Sequence, residues 1–199
     1  MMQLLDWSYE KSINGLPGAK SAYELANQYR SKHPTTKKSI DSLIRWQNTK
    51  NGVNGFISGL GGLITMPFVL PANIVSVIYV QMRMVAAIAV LNGYDLKDDQ
   101  VKTLVYVSLA GNSATDVLKG TGIAVSNKVA TTAIKRIPGE TLKVINQKVG
   151  FRLLTKFGEK GIINLGKLVP VAGGVVGGSI DVFSTYAIGK AAKKLLVNK

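Results

Sequence analysis

The sequence predicts an all-α protein, a single glycine-rich bundle of about eight helices with a buried apolar pair of segments at its centre. Apolar positions recur at helical spacing almost throughout, and the Asn51-Gly52 pair lies between helical patterns rather than between alternating strands. The run from Asn51 to Met82 contains no Asp, Glu, Lys or Arg, although the chain carries a formal net charge of +14. A protein core or a membrane must receive such a run.

The first fifty residues predict three short amphipathic helices. Asn-Gly and Pro-Gly breakers at positions 14–15 and 17–18 separate the first helix from the second. We place these helices at Leu4–Ile13, Ser21–Arg30 and Lys37–Asn48. The third has one apolar face, which helical spacing predicts to be buried, formed by Ile40, Leu43, Ile44 and Gln47.

The charge-free run predicts two apolar segments, Gly52–Thr65 and Ala72–Leu91. Pro67 and Pro71 separate them, because proline lacks the backbone donor that a helix interior needs. The second segment ends at Asn92-Gly93, where glycine can adopt a left-handed cap. We expect these two segments to pack in the centre of the bundle.

The rest of the chain predicts five further helices. The first of them is capped by Asp98 or Asp95, with acidic residues in its first turn, and runs to about Leu118. Pro-Gly at 138–139 and proline at 170 are the main breaks that follow. The remaining helices are predicted at Ile123–Ile137, Glu140–Phe157 with a bend at Gly150, Gly161–Leu168 and Val171–Leu196.

Length and composition favour one domain over residues 1–199, in which the amphipathic helices of residues 1–50 precede a larger part at residues 51–199. The chain has no cysteine, which excludes disulfides and thiolate metal sites and fits a reducing cytoplasm. The N-terminal stretch has no basic region ahead of an apolar one, so we expect no secretory signal.

Ionisable residues in the middle of each candidate membrane span favour a buried core over a span. Arg83 interrupts Ala72–Leu91, and Asp181 interrupts Val171–Leu196. An arginine at a helix centre costs about 2.5–3.5 kcal/mol on insertion. The alternative is conditional insertion of the segments Gly52–Thr65 and 171–178, whose GxxxG spacing permits close helix packing in lipid or in protein.

Polar residues inside otherwise apolar helices form a candidate internal network: Gln81, Arg83, Asn112, Asp116 and Asp181. A charge removed from water needs a partner, so we predict that Arg83 pairs with Asp116 or Asp181. Such a network would fix the packing of the helices. It could also line a polar pocket for a lipid headgroup or another small ligand.

Basic residues concentrate in the C-terminal part, where residues 119–199 hold fourteen Lys and Arg against three Asp and Glu. Four of them recur every four positions as a basic ladder beside the apolar Val149, Leu153 and Phe157: Lys148, Arg152, Lys156 and Lys160. The C-terminus adds Lys190, Lys193 and Lys194. These residues are either a solvated face or a surface for anionic lipid. Nucleic acid is disfavoured, because no aromatic platform accompanies the charges.

Catalytic and metal signatures fail on inspection, so we expect no enzyme and no cofactor. The stretch Gly161–Leu168 has the glycines and lysine of a phosphate loop, but Leu168 stands where a Ser or Thr is required. The single histidine, His33, precedes a proline at a helix end. A histidine metal site is therefore not predicted.

Three stretches together resemble the EcsC family, a bacterial group named for its association with an ABC-transporter operon. They are GLGGLITMPFVLPANI with the following YVQMRMVAAIAVLNGYDL, LAGNSATDVLK, and the long block from Ile145 to Lys194. The resemblance implies a helical fold and a transporter or envelope context, and it carries over no catalytic residue. We therefore expect a cytoplasmic protein peripheral to the membrane, whose partner is an anionic membrane surface or a membrane protein.

Overall fold

A computed structural model describes residues 1–47, 72–123, 137–165 and 173–197, with the side chains of 72–73, 158–165 and 173–184 left out. These residues form eight α-helices and no β-strand, which confirms the all-α class. The predicted apolar segment Gly52–Thr65 and nearly all of the predicted helix Ile123–Ile137 lie outside them. The elements are α1 Met2–Asn14, α2 Ala22–Lys32, α3 Thr36–Gln47, α4 Ala72–Leu91, α5 Asp99–Leu109, a 3-10 turn Gly111–Ser113, α6 Ala114–Lys119, α7 Gly139–Leu165 and α8 Gly173–Leu196.

Helix α4 is the centre of the bundle and has the bounds that the sequence predicts. It contacts α1, α2, α3, α5 and α8, and every residue from Val75 to Ala89 is buried. Within the described residues, Ile74–Leu91 is the one stretch whose length and composition would suffice to cross a bilayer. In this structure 89% of it is buried against other parts of the chain, so here α4 serves as the core helix.

The three N-terminal helices pack on α4, and α3 buries the face that helical spacing predicts. On α3, the predicted apolar face is confirmed, because Ile40, Leu43, Ile44 and Gln47 are all buried. Helix α2 begins with a capping box in which the backbone N–H of Glu24 donates to Ser21 Oγ at 3.2 Å. The Ser21 backbone N–H donates in return to Glu24 Oε2 at 2.8 Å. This reciprocal cap fixes where α2 starts.

The predicted continuous helix up to Leu118 is wrong, because the chain breaks after α5. Gly111 has a φ of +60°, a left-handed conformation that glycine adopts without strain. A Cβ at this position would lie 3.4 Å from Ala187 Cβ on α8, so the turn is also tightly packed. The chain then resumes as α6, and this redirection exposes Asn112 and Asp116.

Helix α7 is longer than predicted. It runs unbroken from Gly139 to Leu165, so the predicted separate helix starting at Gly161 is wrong over the described residues. At Gly150, a Cβ would lie 2.8 Å from Met2 Sδ, which shows that this glycine lets α1 approach α7 closely. Among the described side chains of α7, the buried apolar face comprises Leu142, Ile145, Val149 and Leu153.

A cluster of tyrosines ties α1 to α5 and was not anticipated from the sequence. Tyr106 Oη donates to Asp6 Oδ1 at 2.8 Å, and Lys102 Nζ lies 2.7 Å from the same oxygen. Tyr9 packs edge-on against Tyr106 at a centroid distance of 5.8 Å and donates to the Leu96 carbonyl at 2.8 Å. Burial raises the pKa of Tyr106, and the contact with Asp6 raises it further. Burial likewise raises the pKa of Tyr9.

Replacement of Tyr106 by Phe removes the hydroxyl that donates to Asp6, and we expect the free energy of unfolding at pH 8 to fall by about 1 kcal/mol. The alkaline behaviour should change too. Above pH of about 10 the unfolded chain loses tyrosine protons that the folded chain keeps, so stability falls as pH rises. Tyr106→Phe should make this fall shallower in denaturant titrations between pH 9 and 11. Tyr186→Phe, at an exposed tyrosine, is the control, and equal slopes in all three proteins would contradict the expectation.

The contact between α8 and α3 gives a second prediction. A Cβ on Gly189 would lie 2.8 Å from Ile44 Cγ2 and 3.0 Å from its Cγ1, atoms of a β-branched side chain that is stiff at χ1. Gly189→Ala should therefore cost about 1–3 kcal/mol of stability, measured by thermal or urea unfolding. Adding Ile44→Ala should recover part of that loss. Gly139→Ala, where nothing lies within 4 Å of the new Cβ, should be neutral, and an equal loss there would refute a steric cause.

Candidate functional site

A surface groove of about 1060 Å³ lies between α7 on one side and the 3-10 turn with α6 on the other. It brings together residues that the sequence assigned to two separate sets. Asn112 and Asp116, from the candidate internal network, line one wall, while Lys148, Arg152 and Lys156 of the basic ladder line the other. The groove is thus the place where predicted polar and basic residues meet.

The α7 wall combines apolar and basic side chains in one row. Val144, Lys148, Phe151 and Thr155 all line the groove and follow each other at i, i+4, i+7 and i+11, which keeps them on one helix face. Val144 is 45% exposed and Phe151 is 69% exposed. Two large apolar side chains therefore lie open to solvent beside a lysine.

The apolar neighbours of the basic ladder differ from those expected. Val149 and Leu153 are buried in the bundle, and Phe157 is partly buried. Among the described side chains of α7, the large apolar ones that are exposed are instead Val144, Phe151 and Leu154. Helical spacing alone would predict their exposure, since these residues lie roughly opposite the buried face. The prediction instead grouped the basic ladder with Val149, Leu153 and Phe157, which are buried or partly buried.

The basic side chains of α7 differ in what they contact. Lys148 Nζ donates to the Gly120 carbonyl at 2.6 Å, which anchors it across the groove. Lys156 Nζ lies 5.2 Å from the ring centroid of Phe157. Arg152 is exposed and makes no salt bridge with a described residue. The side chain of Lys160 lies outside the described residues.

Two members of the candidate internal network are buried in α4. Gln81 Nε2 donates to Thr185 Oγ1 on α8 at 3.1 Å. Arg83 is 6% exposed, donates from Nη1 to the Lys20 carbonyl at 3.1 Å and lies 5.6 Å from the ring centroid of Tyr79. Burial lowers the pKa of Arg83, and Tyr79 opposes this effect. The guanidinium stays charged, since arginine does not lose its proton in proteins.

The predicted pairing of Arg83 with Asp116 does not form, because Asp116 is exposed in the groove whereas Arg83 is buried in the core. The alternative partner, Asp181, has a side chain outside the described residues. Asn112 is exposed as well, so the predicted network divides into a buried part on α4 and a surface part in the groove. A single internal polar pocket is not formed by the described members.

The C-terminal lysines are only partly available to a partner. Lys193 makes a salt bridge with Asp41 of α3 at 2.6 Å and is half-buried. Lys194 Nζ donates to Thr115 Oγ1 at 3.2 Å. Lys190 is exposed and lies 5.5 Å from the ring centroid of Tyr186, which is 51% exposed. Lys190 is therefore the one of these three lysines whose contacts leave it most open.

Over its described residues, the protein is a helical bundle with a surface groove, and the charged side chains that line the groove are three cations and one carboxylate. The chain belongs to the EcsC protein family, whose family model matches residues 20–196. The predicted resemblance is confirmed. Comparison with curated proteins and with solved structures finds no match. Over the described residues, no group of three or more His, Cys, Asp or Glu side chains comes together as a metal site would require.

Replacement of Arg83 by Leu removes the donor to the Lys20 carbonyl and the cation beside Tyr79, while leaving an apolar side chain in the core. We expect the melting temperature to fall by several degrees, because each net kcal/mol lost shifts it by about 2–4 °C in a chain of this size. Arg45→Leu, at an exposed arginine of α3, should leave it unchanged. A higher melting temperature for Arg83→Leu would contradict this, since it would mean that the desolvation free energy of the buried guanidinium exceeds the stabilisation that its contacts provide.

Proposed function

We propose that this protein associates reversibly with anionic membrane surfaces through the groove face of α7. One observation carries the proposal. Phe151 is 69% exposed on the same helix face as Lys148, with Arg152 next to it in the groove lining. A large exposed apolar side chain flanked by cations is typical of a helix that rests in the headgroup region of a bilayer.

The energies favour a peripheral and salt-sensitive mode of binding. Each Lys or Arg near an anionic surface contributes about 1 kcal/mol, an effect that salt screens within a Debye length. Burial of Phe151 and Val144 in the headgroup boundary adds an apolar term that salt does not weaken. The sum supports weak, reversible binding rather than permanent insertion.

A turn of α8 beside the groove carries side chains of the same kind. Ala187 lines the groove, and the exposed Tyr186 and Lys190 lie one residue before it and three residues after it on α8. Tyr186 is half exposed and has Lys190 over its ring, a pairing of aromatic and cationic groups suited to a membrane interface. Lys193 supports the proposal less, because it is already paired with Asp41.

Flotation of the purified protein with liposomes tests the proposal. Wild-type protein should float with anionic liposomes at low salt, remain unbound with neutral liposomes and be released at high salt. Arg152→Glu replaces an attraction by a repulsion and should weaken anionic binding by about five- to thirtyfold with no change in melting temperature. The matched control is Arg45→Glu on α3.

Three outcomes would contradict the proposal that the groove face of α7 binds anionic membranes. Equal binding to neutral and anionic liposomes would remove the electrostatic basis. Unchanged binding after reversal of Lys148, Arg152 and Lys156 together would show that α7 is not the contact. Binding that resists high salt would point to insertion of apolar segments instead.

A further inference from the structure

We propose that the groove beside α7 binds one anionic phospholipid, with its phosphate at Lys148 and Arg152 and part of an acyl chain along Phe151 and Val144. The inference rests on the proposed function, since a membrane surface is the source of the lipid. It goes further in assigning a discrete site that selects a headgroup, rather than a diffuse attraction between surfaces.

The phosphate end is defined by the donors that remain in the groove. An ammonium has three N–H donors, and Lys148 uses one of them on the Gly120 carbonyl at 2.6 Å. That bond fixes the Lys148 side chain against the opposite wall and leaves two donors for a ligand. Arg152 lies one helical turn further along, is exposed and presents a planar fork that matches two phosphate oxygens.

The charge of the lining selects the class of anion. Lys148, Arg152 and Lys156 provide three positive charges, and Asp116 on the opposite wall removes one, which leaves a net charge of +2 among the described lining residues. A carboxylate inside the groove disfavours polyanions such as nucleic acid. Asp116 and Asn112 instead offer oxygen acceptors for hydroxyl groups. A singly charged phosphodiester whose headgroup carries hydroxyls fits this arrangement, as in phosphatidylglycerol.

The apolar side chains at the other end of the groove indicate that the ligand also carries an acyl chain. Phe151 and Val144 lie within the groove lining and remain 69% and 45% exposed, so an ion alone would leave their surfaces in water. The volume of about 1060 Å³ lies slightly above the range of about 300–1,000 Å³ that is typical of pockets for drug-sized ligands, and well beyond what a free phosphate fills. A lipid headgroup with its first chain segments covers both the cations and the apolar row.

Calorimetric titration with dihexanoyl phosphatidylglycerol, kept below its critical micelle concentration, tests the site without a membrane. We expect saturable binding of one lipid per protein, at least about tenfold tighter than binding of dihexanoyl phosphatidylcholine or of glycerol phosphate. Arg152→Glu should weaken binding by about tenfold or more, and Phe151→Ala by about five- to tenfold. The controls are Arg45→Glu and Leu154→Ala, which change an exposed arginine and an exposed leucine outside the groove lining.

The outcomes separate this inference from the proposed function. Absence of binding to the monomeric lipid, with anionic liposome flotation intact, would overturn the site while the surface proposal stands. Equal affinity for glycerol phosphate would overturn the acyl contact, and equal affinity for phosphatidylcholine or displacement by an oligonucleotide would overturn the headgroup assignment. Monomer binding that both α7 variants weaken would support the site, even if liposome flotation failed.

Discussion

The burial of α4 determines how the other helices pack. This helix is apolar along its length, so neighbouring helices must cover it on all sides. It also carries Gln81 and Arg83, whose polar groups lose water and need partners. The Gln81 amide donates a hydrogen bond to Thr185 on α8, and the Arg83 guanidinium donates one to the carbonyl of Lys20 just before α2. A buried polar group that loses its partner costs free energy, so these bonds favour the arrangement of α2 and α8 around α4 that keeps both partners within reach.

The groove follows from this packing in two steps. Helix α5 packs on α4, and α7 packs on α5 through a face that includes Ile145 and Val149. Once that face is buried, helical geometry directs Phe151 and Lys148 outward. The opposite wall depends on Gly111, whose left-handed conformation ends α5 and brings the following residues round against α8. The result is a groove that is lined by both charged and apolar side chains.

Helical periodicity predicted the parts of the structure in which one face is apolar and the other is not. The bounds of α4 and the buried face of α3 follow directly from it. The break at Gly111 does not, because Ala114, Val117 and Leu118 continue an apolar spacing, and nothing in that spacing indicates that Gly111 adopts a left-handed conformation packed against Ala187. The hydrogen bond from Arg83 to a backbone carbonyl was not predicted, for a related reason. A backbone carbonyl leaves no mark on residue type, so residue types alone indicated the carboxylates of Asp116 or Asp181, and the side chain of Asp181 lies outside the described residues.

The same limit applies to the site. The basic ladder of α7 could be read from spacing, but its meeting with Asn112 and Asp116 depends on a change of chain direction that spacing does not record. The hydrogen bond from Tyr106 to Asp6 joins residues a hundred positions apart, and neither residue type predicts that the other is its partner. Tertiary contacts of this kind decide which polar residues share a surface.

The proposed peripheral contact through α7 and an insertion of α4 into the bilayer would place different demands on this fold. Insertion of α4 would separate it from α1 and α2, and it would break the bonds of Arg83 to the Lys20 carbonyl and of Arg30 to the Val90 carbonyl, each worth about 1 kcal/mol. It would also place Arg83 in hydrocarbon at a cost of about 2.5–3.5 kcal/mol. Contact through α7 breaks none of these bonds, because Phe151 and Arg152 are already exposed. Peripheral contact through α7 would therefore need only the attraction of a few cations and one aromatic side chain, whereas insertion of α4 would first have to overcome the packing that defines the bundle.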